Sequence, residues 1–247
     1  MKVTDVPDTV TVCITSCGRL DLLDRTLESF KQFNRGARFI VHEDSTDLDV
    51  IDRVRQSYPD AIILSGPTRI GIMASIDRLY SLVETPYIFH CEDDWEFDGP
   101  IAWEAAIEAL CVSPDIANVS VRAFSEIGPK YQERSTVAQI AGETFRVMNL
   151  DAHPEYFSWH PNPGLIKTEL HRNYAPFARV MPDQMSGLMK KDGLRLAYLM
   201  PGVAHHIGQG RNVVDPTMPA RPKGRPAKWL RAIKKKLYYA GWRSEPF

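Results

Sequence analysis

The first 120 residues alternate short apolar runs with longer segments in which apolar residues recur every three or four positions. The runs are rich in β-branched and aromatic residues and predict buried strands, whereas the longer segments predict amphipathic helices. Strands are predicted at 10–15, 38–42, 61–64, 87–91 and 116–121, and helices at 20–33, 48–57, 72–83 and 101–110. Short apolar strands separated by helices are typical of a mostly parallel sheet that helices cover on both faces.

The pattern becomes less regular after residue 123. Residues 124–163 are largely polar and contain one predicted strand at 144–148. Helices are then predicted at 171–177 and 182–191, a strand at 196–200, and a loop that contains two adjacent histidines. We therefore predict one α/β domain over 1–219, with halves at 1–123 and 124–219, followed by a Pro-rich hinge and tail over 220–247.

Polar side chains follow three of the predicted strands. Thr15, Asp44 and the triplet Glu92-Asp93-Asp94 each come where an apolar strand ends. The carboxyl ends of parallel strands meet at one edge of the sheet, where ligands bind. Adjacent carboxylates repel one another unless a cation compensates, and Mg²⁺ or Mn²⁺ takes carboxylate oxygens together with substrate phosphates. The alternative is a solvated acidic turn, which the aromatic residues just after the triplet make less favourable.

Four motifs, in order over about 90 residues, resemble the nucleotide-sugar-binding half of GT-A glycosyltransferases, close to the large family 2 type. They are ITSCGR at 14–19, LLDRTLESF at 22–30, EDSTD at 43–47 and EDD at 92–94. The last corresponds to the acidic DxD motif of that fold, and its EDD form is similar to that of inverting N-acetylglucosaminyltransferases. The resemblance implies a Rossmann-like, mixed but mostly parallel sheet flanked by helices.

The resemblance also implies a role for each matching residue. Asp94 would bind the Mn²⁺ or Mg²⁺ ion that bridges the donor diphosphate, and Glu92 and Asp93 would face the ribose and the sugar. Asp44 would contact the nucleobase or its ribose. Thr15 and Arg19 would line the base pocket and the phosphate side. The expected donor is a nucleoside-diphosphate sugar, with a UDP-sugar favoured.

Inversion at the sugar's anomeric carbon needs a general base on the side opposite the metal. In inverting enzymes of the GT-A type the base is an acid at the start of a helix in the second half, which corresponds here to Asp183. An acid in a helix's first turn also complements the helix dipole, so a purely structural role is the alternative. Asp192, at the far end of the same helix, is the less favoured candidate for the base.

Three further second-half residues are candidates for the donor site. The string His-Ile-Gly is similar to the C-terminal histidine that completes the metal site in many GT-A enzymes, which favours His206 over His205 as a ligand. Two histidines in a Gly-rich loop can equally be ordinary polar residues. Arg211 could bind a phosphate oxygen, although a solvated loop charge is the alternative.

Two tryptophans are candidates for lining a sugar or the acceptor. Trp95 follows the acidic triplet directly, and Trp159 lies in a turn-rich segment of the second half. Aromatic rings can stack on sugar rings, but large aromatic residues are more often core residues. Core packing is therefore the alternative for Trp159 in particular.

Charge is unevenly distributed along the chain. The formal net charge is −1, yet residues 220–247 carry +8 and residues 1–219 carry −9. The segment 228–242 places apolar residues on one helical stripe among basic residues, which predicts a basic amphipathic helix. An anionic membrane surface is the favoured partner, ahead of the protein's own acidic body and of nucleic acid, for which the body has no recognisable motif.

The N-terminus lacks the apolar core of a secretory signal, no apolar run is long enough to span a bilayer, and four cysteines do not form a disulfide framework. We therefore expect a cytoplasmic protein, peripheral on the membrane's inner face. The sequence predicts a metal-dependent, inverting glycosyltransferase that acts on a glycan or glycolipid hydroxyl. The alternatives are a sugar-phosphate nucleotidylyltransferase and a non-catalytic nucleotide-binding or interaction module.

Overall fold

The structure is a computed structural model that describes residues 2–218 and 224–239. The chain forms two compact units, Met1–Asp215 and Pro216–Phe247, so the boundary falls four residues before the predicted one. Part of the predicted hinge and the end of the predicted tail helix, from residue 240 onward, lie outside the described residues.

The first unit contains thirteen strands and seven α-helices among its described residues. The strands are β1 (Thr4–Asp5), β2 (Val10–Ser16), β3 (Asn34–Arg35), β4 (Arg38–Glu43), β5 (Ile62–Leu64), β6 (Tyr87–Glu92), β7 (Trp95–Phe97), β8 (Ile116–Ser120), β9 (Ser135–Ile140), β10 (Glu143–Met148), β11 (Gly164–Lys167), β12 (Arg195–Leu199) and β13 (Ala204–His206). The helices are α1 (Leu20–Phe33), α2 (Leu48–Ser57), α3 (Ile72–Tyr80), α4 (Trp103–Val112), α5 (Pro129–Gln132), α6 (Thr168–Tyr174) and α7 (Pro182–Lys191). The second unit contains α8 (Arg225–Tyr239).

Nine strands form one central mixed sheet in the order β5-β4-β2-β6-β11-β8-β12-β10-β9. Strands β10 and β11 run opposite to the other seven. The carboxyl ends of β2, β4 and β6 are therefore side by side at one edge, as the alternation of strands and helices predicts. This mostly parallel α/β sheet flanked by helices confirms the predicted fold class.

Helices α1 and α4 pack on one face of the sheet, and α3, α6 and α7 pack on the other. On the first face Phe30 of α1 is 2% exposed and its ring contacts Phe39, Phe89, Phe97 and Trp103. Truncation of such a residue leaves a cavity, so Phe30→Ala should cost about 3–5 kcal/mol of unfolding free energy.

The bounds of α1, α2 and α7 are those that the apolar periodicity predicts. Helix α3 ends at Tyr80 instead of residue 83, because after Ser81, whose amide still bonds to the Asp77 carbonyl, the amides of Leu82 and Val83 form turn bonds to the Leu79 and Tyr80 carbonyls. The chain then turns into β6, so the apolar pattern overstates the helix by three residues.

Six strands were not predicted, and two of them are β1 and β3, which pair over two residues each. Strand β9 forms a hairpin with β10 through Ala141 and Gly142, which have φ of +50° and +82°. Strand β11 is four residues long and is inserted antiparallel between β6 and β8. Strands β7 and β13 form a separate two-stranded sheet of three residues each, so the predicted loop at the two histidines is wrong. The strands of two to four residues show too little periodicity to be recognised, and β9, which has six residues, contains no buried side chain.

Candidate functional site

The ends of β2, β4 and β6, with the turns that follow them, form the surface that we call the carboxylate edge: residues 15–19, 43–45 and 92–94. In the parallel register Ser16 lies beside Glu43, and Thr15 lies beside Glu92. Acidic side chains that are distant in sequence are therefore neighbours, because each directly follows a buried strand of the same sheet. The edge brings together the predicted donor-side residues on these three strands.

Glu43 organises the turn after β2 and was not singled out by the sequence. Its side chain is fully buried, and its carboxylate accepts hydrogen bonds from the Gly18 and Ser45 amides at 2.8 and 2.9 Å and from Ser16 Oγ at 2.7 Å. Ser16 Oγ also lies 3.1 Å from Asp93 Oδ2. These bonds fix the positions of two strand ends relative to each other.

Arg19 bridges the two aspartates of the triplet. Its guanidinium forms an ion pair with Asp93, and its Nη1 donates to Asp94 Oδ2 at 2.8 Å. The Asp93 side chain is 1% exposed, and burial raises its pKa to about 6 although the Arg19 charge acts to lower it. The same two carboxylates hold the pKa of Arg19 above its ordinary value against the effect of burial. Arg19 thus supplies the cation that this carboxylate pair needs.

Glu92 is held by donors from two directions. Its Oε2 accepts from Trp95 Nε1 and from Asn162 Nδ2, each at 3.2 Å. Burial and the neighbouring Asp94 charge raise the pKa of Glu92 to about 7. Arg122 Nη1 in turn donates to Asn162 Oδ1 at 3.4 Å, and its guanidinium carbon lies 5.4 Å from the centre of the Trp95 ring. Sequence reasoning missed both Asn162 and Arg122, since each reaches the edge only through the tertiary fold.

Asp44 binds the turn that precedes α3. Its two carboxylate oxygens accept from the Ile70 and Gly71 amides at 2.7 and 3.0 Å, and Arg69 Nε lies 3.9 Å away. Nearby, Thr15 Oγ1 is buried and has no hydrogen-bond partner within the described part of the chain. The residues predicted to contact the nucleoside thus lie at one corner of the edge, with one polar atom there still unpaired.

The structure separates the two predicted histidine ligands. Successive residues of a strand point to opposite faces, so in β13 only one of them can face the edge. His206 Nε2 lies 3.4 Å from Asp94 Oδ2, and its ring packs against Trp95 at 5.3 Å. His205 instead lies between Asp98 and Glu126, at 3.1 and 3.3 Å, so its prediction as a ligand beside Asp94 is corrected.

The chain after β13 crosses close to Asp94. A Cβ atom at Gly208 would lie 2.2 Å from Asp94 Oδ2, so only glycine allows this approach. Further along, the Arg211 carbonyl accepts from Arg19 Nη1 at 3.2 Å, while the Arg211 guanidinium pairs with Asp21 at 2.5 and 2.8 Å. The predicted phosphate-binding arginine is therefore near the edge, but its side chain is engaged with the first turn of α1.

Asp94 and His206 are a donor set suited to a divalent ion. Among residues 2–218 and 224–239, no three His, Cys, Asp or Glu side chains converge as a complete protein site. A carboxylate and an imidazole suit Mn²⁺, and the remaining positions of such an ion are commonly taken by phosphate oxygens and water. The two side chains therefore fit an ion that is shared with a bound diphosphate.

Both predicted sugar-lining tryptophans are buried. Trp95 is 1% exposed, and Trp159 is 2% exposed and packs edge-on against Phe177 at 5.0 Å. A ring with so little exposed surface offers no face for stacking on a sugar. In this structure both residues are therefore packing residues, and Trp95 additionally orients Glu92.

The structure places the two candidate bases at opposite ends of α7. Asp192 follows α7 and lies three residues before Arg195, the first residue of β12, so it is at the amino end of the parallel strands, where Tyr174 Oη donates to it at 2.5 Å. Asp183 lies nine residues earlier, about 13 Å back along the helix. Its Oδ1 accepts from the Gln184 amide at 3.0 Å in the first turn of the helix. The fold thus disfavours Asp192 and leaves Asp183 as the candidate.

Comparison with known proteins gives matches at the level of three-dimensional structure. No protein-family model matches the chain, and no curated protein sequence matches it. S. aureus TarS in complex with UDP-GlcNAc is similar with a TM-score of 0.56 and 12% identity, over 92% of this chain and 66% of that one. GalNAc-T7 with UDP, GalNAc and Mn²⁺ gives 0.54 and 10%, over 94% of this chain and 49% of that one.

A third similar structure is the mannosyltransferase PcManGT from Pyrobaculum calidifontis in complex with GDP-Man and Mn²⁺. Its TM-score is 0.52 at 14% identity, over 98% of this chain and 68% of that one. This chain thus spans about half to two thirds of the length of these proteins. At such identities the likeness is one of fold, and the three structures are GT-A glycosyltransferases. The chain therefore has the GT-A fold that its strand-end motifs predict.

Proposed function

We propose that this chain is a metal-dependent glycosyltransferase that moves a sugar from a nucleoside-diphosphate donor to a hydroxyl of a glycan or glycolipid. The observation that carries the proposal is the position of Asp94. It lies at the carboxyl end of a parallel strand of a GT-A sheet, between an arginine and a histidine. An anionic diphosphate needs such a mixture of cationic groups and metal ligands at a sheet's carboxyl edge.

Asp94 and His206 would hold a Mn²⁺ or Mg²⁺ ion at this edge. When bound, the ion would neutralise charge that develops on the departing diphosphate. Arg19 is already within 2.8 Å of Asp94 Oδ2 and would contribute a second positive charge on the same side. The solved neighbours GalNAc-T7 and PcManGT each contain Mn²⁺, which supports this choice of metal.

The rest of the donor would extend along the edge from Asp94. Asp93 and Glu92 would face the ribose and the sugar, and Asp44 with Thr15 would lie at the nucleoside end. The neighbours bind UDP, UDP-GlcNAc and GDP-Man, so both uridine and guanosine donors are reasonable, and we favour a UDP-sugar.

Asp183 would act as the general base of an inverting displacement. Its carboxylate would take the proton from the acceptor hydroxyl while that oxygen attacks the anomeric carbon, and the nucleoside diphosphate would leave on the other side. The helix start that holds Asp183 is ordered by a bond from the Met181 amide to Gln184 Oε1 at 3.1 Å. Such a reaction would serve in polysaccharide or glycolipid synthesis.

The direct test is a panel of UDP- and GDP-sugars with Mn²⁺, in which release of the nucleoside diphosphate and thermal stabilisation are both measured. We expect metal-dependent stabilisation by one nucleoside diphosphate, and turnover of its sugar when a suitable acceptor is present. Absence of stabilisation by every nucleotide would overturn the proposal. Stabilisation with no turnover for any acceptor would favour a non-catalytic nucleotide-binding module.

A nucleotidylyltransferase is the second enzymatic candidate, because its α/β core is similar. That class has a Gly-rich, basic loop after its first strand, whereas here only Cys17, Gly18 and Arg19 separate β2 from α1. Formation of a nucleotide-sugar from a nucleoside triphosphate and a sugar phosphate would support it. The observed loop offers no specific support for that activity.

A further inference from the structure

The second unit contains a helix with an exposed apolar stripe. In α8 the large apolar side chains of Trp229, Leu230 and Leu237 are 69%, 51% and 38% exposed. At about 100° per residue, these three and Ile233 fall within an arc of about 100° on the helix surface. Isolated exposed apolar residues are ordinary, but an ordered stripe that includes a tryptophan needs a partner.

Basic residues lie outside the apolar arc of the helix. Arg225 and Lys234 border the arc on its two sides, and Arg231 lies on the opposite side of the helix. Residues 220–247 contain nine basic residues and one acidic residue, Glu245, so the whole segment carries +8. The helix therefore combines two features, an apolar stripe and a positive surface.

The apolar stripe and the positive charge together distinguish among three kinds of partner for α8. A nucleic acid would pair with the positive charges but would leave the tryptophan and leucines in water. A second copy of α8 would bury the stripe but would bring two strongly positive helices together. An anionic bilayer takes both features at once, because apolar side chains enter the headgroup boundary while basic side chains meet lipid phosphates.

We propose that α8 binds an anionic phospholipid surface, with Trp229 and Leu237 inserted at headgroup level. The helix then lies in the plane of the surface, which agrees with the finding that none of the described helices is long and apolar enough to cross a membrane. Residues 1–219 carry −9, so the same surface repels the rest of the chain. The helix offsets this repulsion.

The test is co-sedimentation of the full chain with phosphatidylcholine vesicles, with and without phosphatidylglycerol. Binding should need the anionic lipid and should weaken as salt is raised, because the attraction is screened. Arg231→Gln and Lys234→Gln should each weaken binding about fivefold. Trp229→Ser combined with Leu237→Ser should weaken it at least tenfold with no change in charge. Val137→Ser, which removes a 58% exposed apolar side chain from β9, is the matched control and should have no effect.

A further variant tests whether the helix itself is needed. Ala232→Pro interrupts α8 without altering its charge and should weaken binding as much as the loss of the stripe. Thermal unfolding of each variant is measured alongside, to check that the first unit is still folded. Equal binding to both vesicle types or full binding by the Trp229/Leu237 variant would overturn the proposal. Binding of a labelled oligonucleotide in preference to the anionic vesicles would also overturn it. The outcome is independent of sugar transfer, so it can fail while the proposed activity stands.

Discussion

The carboxylate edge and the segment from 149 to 191 both contribute polar groups to the proposed site, but they position them differently. At the edge, strand register sets Thr15 beside Glu92 and Ser16 beside Glu43. In the 149–191 segment, loops and helix starts carry the polar groups. Asn162 reaches Glu92 from a turn, and Asp183 lies at the first turn of α7.

We infer from this difference that the edge binds the donor and that the 149–191 segment contributes to transfer. The edge holds its carboxylates with internal partners, as a preformed binding surface for an anion and its counter-ion does. The 149–191 segment approaches this surface from the second half through few direct bonds. We therefore expect that changes at the edge alter donor binding and stability, whereas changes in the segment alter transfer.

The strongest test of this separation is Asp183→Asn. If Asp183 is the general base, transfer should fall by about 10²–10⁴ while donor affinity stays the same. Steady-state transfer and a titration with the nucleoside diphosphate measure the two quantities. Asp192→Asn, at the other end of α7, is the control and should behave as the unaltered protein. Full transfer by Asp183→Asn would show that its role is to start the helix.

The second test concerns how the edge holds its charges. Arg19→Gln leaves Asp93 and Asp94 without their cation and should cost about 3 kcal/mol of unfolding free energy. Mn²⁺ should restore part of the lost stability, because it can replace the missing positive charge. Arg25→Gln, which breaks an exposed pair with Glu96, should cost less than about 1 kcal/mol. Equal costs for the two arginines in denaturant unfolding would contradict the role of Arg19.

The third test concerns a pair of histidines behind the edge. His90 is buried and His160 is half-buried, and the ring nitrogens of both are shielded from solvent and have no hydrogen-bond partner among the described residues. Burial lowers the pKa of His90 to about 3 and that of His160 to about 4. The unfolded chain therefore binds more protons, and stability should be lost as pH falls below about 6.5.

Below about pH 6.5, His160→Asn should reduce the slope of the unfolding free energy against pH by about 1.4 kcal/mol per pH unit, since one fewer proton is taken up on unfolding. Denaturant unfolding between neutral and mildly acidic pH measures it. Tyr198→Phe, which changes a ring 6.4 Å from His160 without removing a group that titrates in this range, is the control. An unaltered slope in His160→Asn would mean that its imidazole is protonated in the folded state.

The smallest expected effect tests the bond that joins the two regions. Asn162→Ala removes the donor to Glu92 and the acceptor of Arg122, and we expect about a tenfold loss of kcat/KM, or about 1.4 kcal/mol. The exposed Asn173, near the amino ends of the parallel strands, provides the control Asn173→Ala. A loss of donor affinity with unaltered kcat would place Asn162 with the edge instead.

The fold and the location of the edge could be predicted because both rest on local patterns. An apolar run that ends in acid occurs at Arg38–Glu43 and Tyr87–Glu92, and Val10–Ser16, which ends in polar residues, pairs in parallel with both and so places the acids on either side of it. The role of each acidic residue at the edge could not be predicted from these patterns. Sequence reasoning selected Asp44, whereas Glu43 is the fully buried residue that accepts bonds from two turns.

The second half was harder to predict because its geometry depends on distant pairings. The orientations of His205 and His206 follow from a three-residue strand whose partner is Trp95–Phe97, more than a hundred residues earlier. The same pairing helps to bury Trp95, which was predicted from its position after the triplet to line a sugar or the acceptor. Local periodicity carries no information on such contacts, and the contribution of Arg122 depends on them as well.

The central claim is that Asp94 binds a divalent ion that is shared with a nucleoside diphosphate. Thermal unfolding with UDP or GDP, with and without Mn²⁺, tests it in the unaltered protein, in Asp94→Ala and in Asp98→Ala, whose carboxylate contacts His205 instead of His206. We predict a metal-dependent rise in Tm for the unaltered protein and for Asp98→Ala, and none for Asp94→Ala. A metal-dependent rise that persists in Asp94→Ala would contradict the claim.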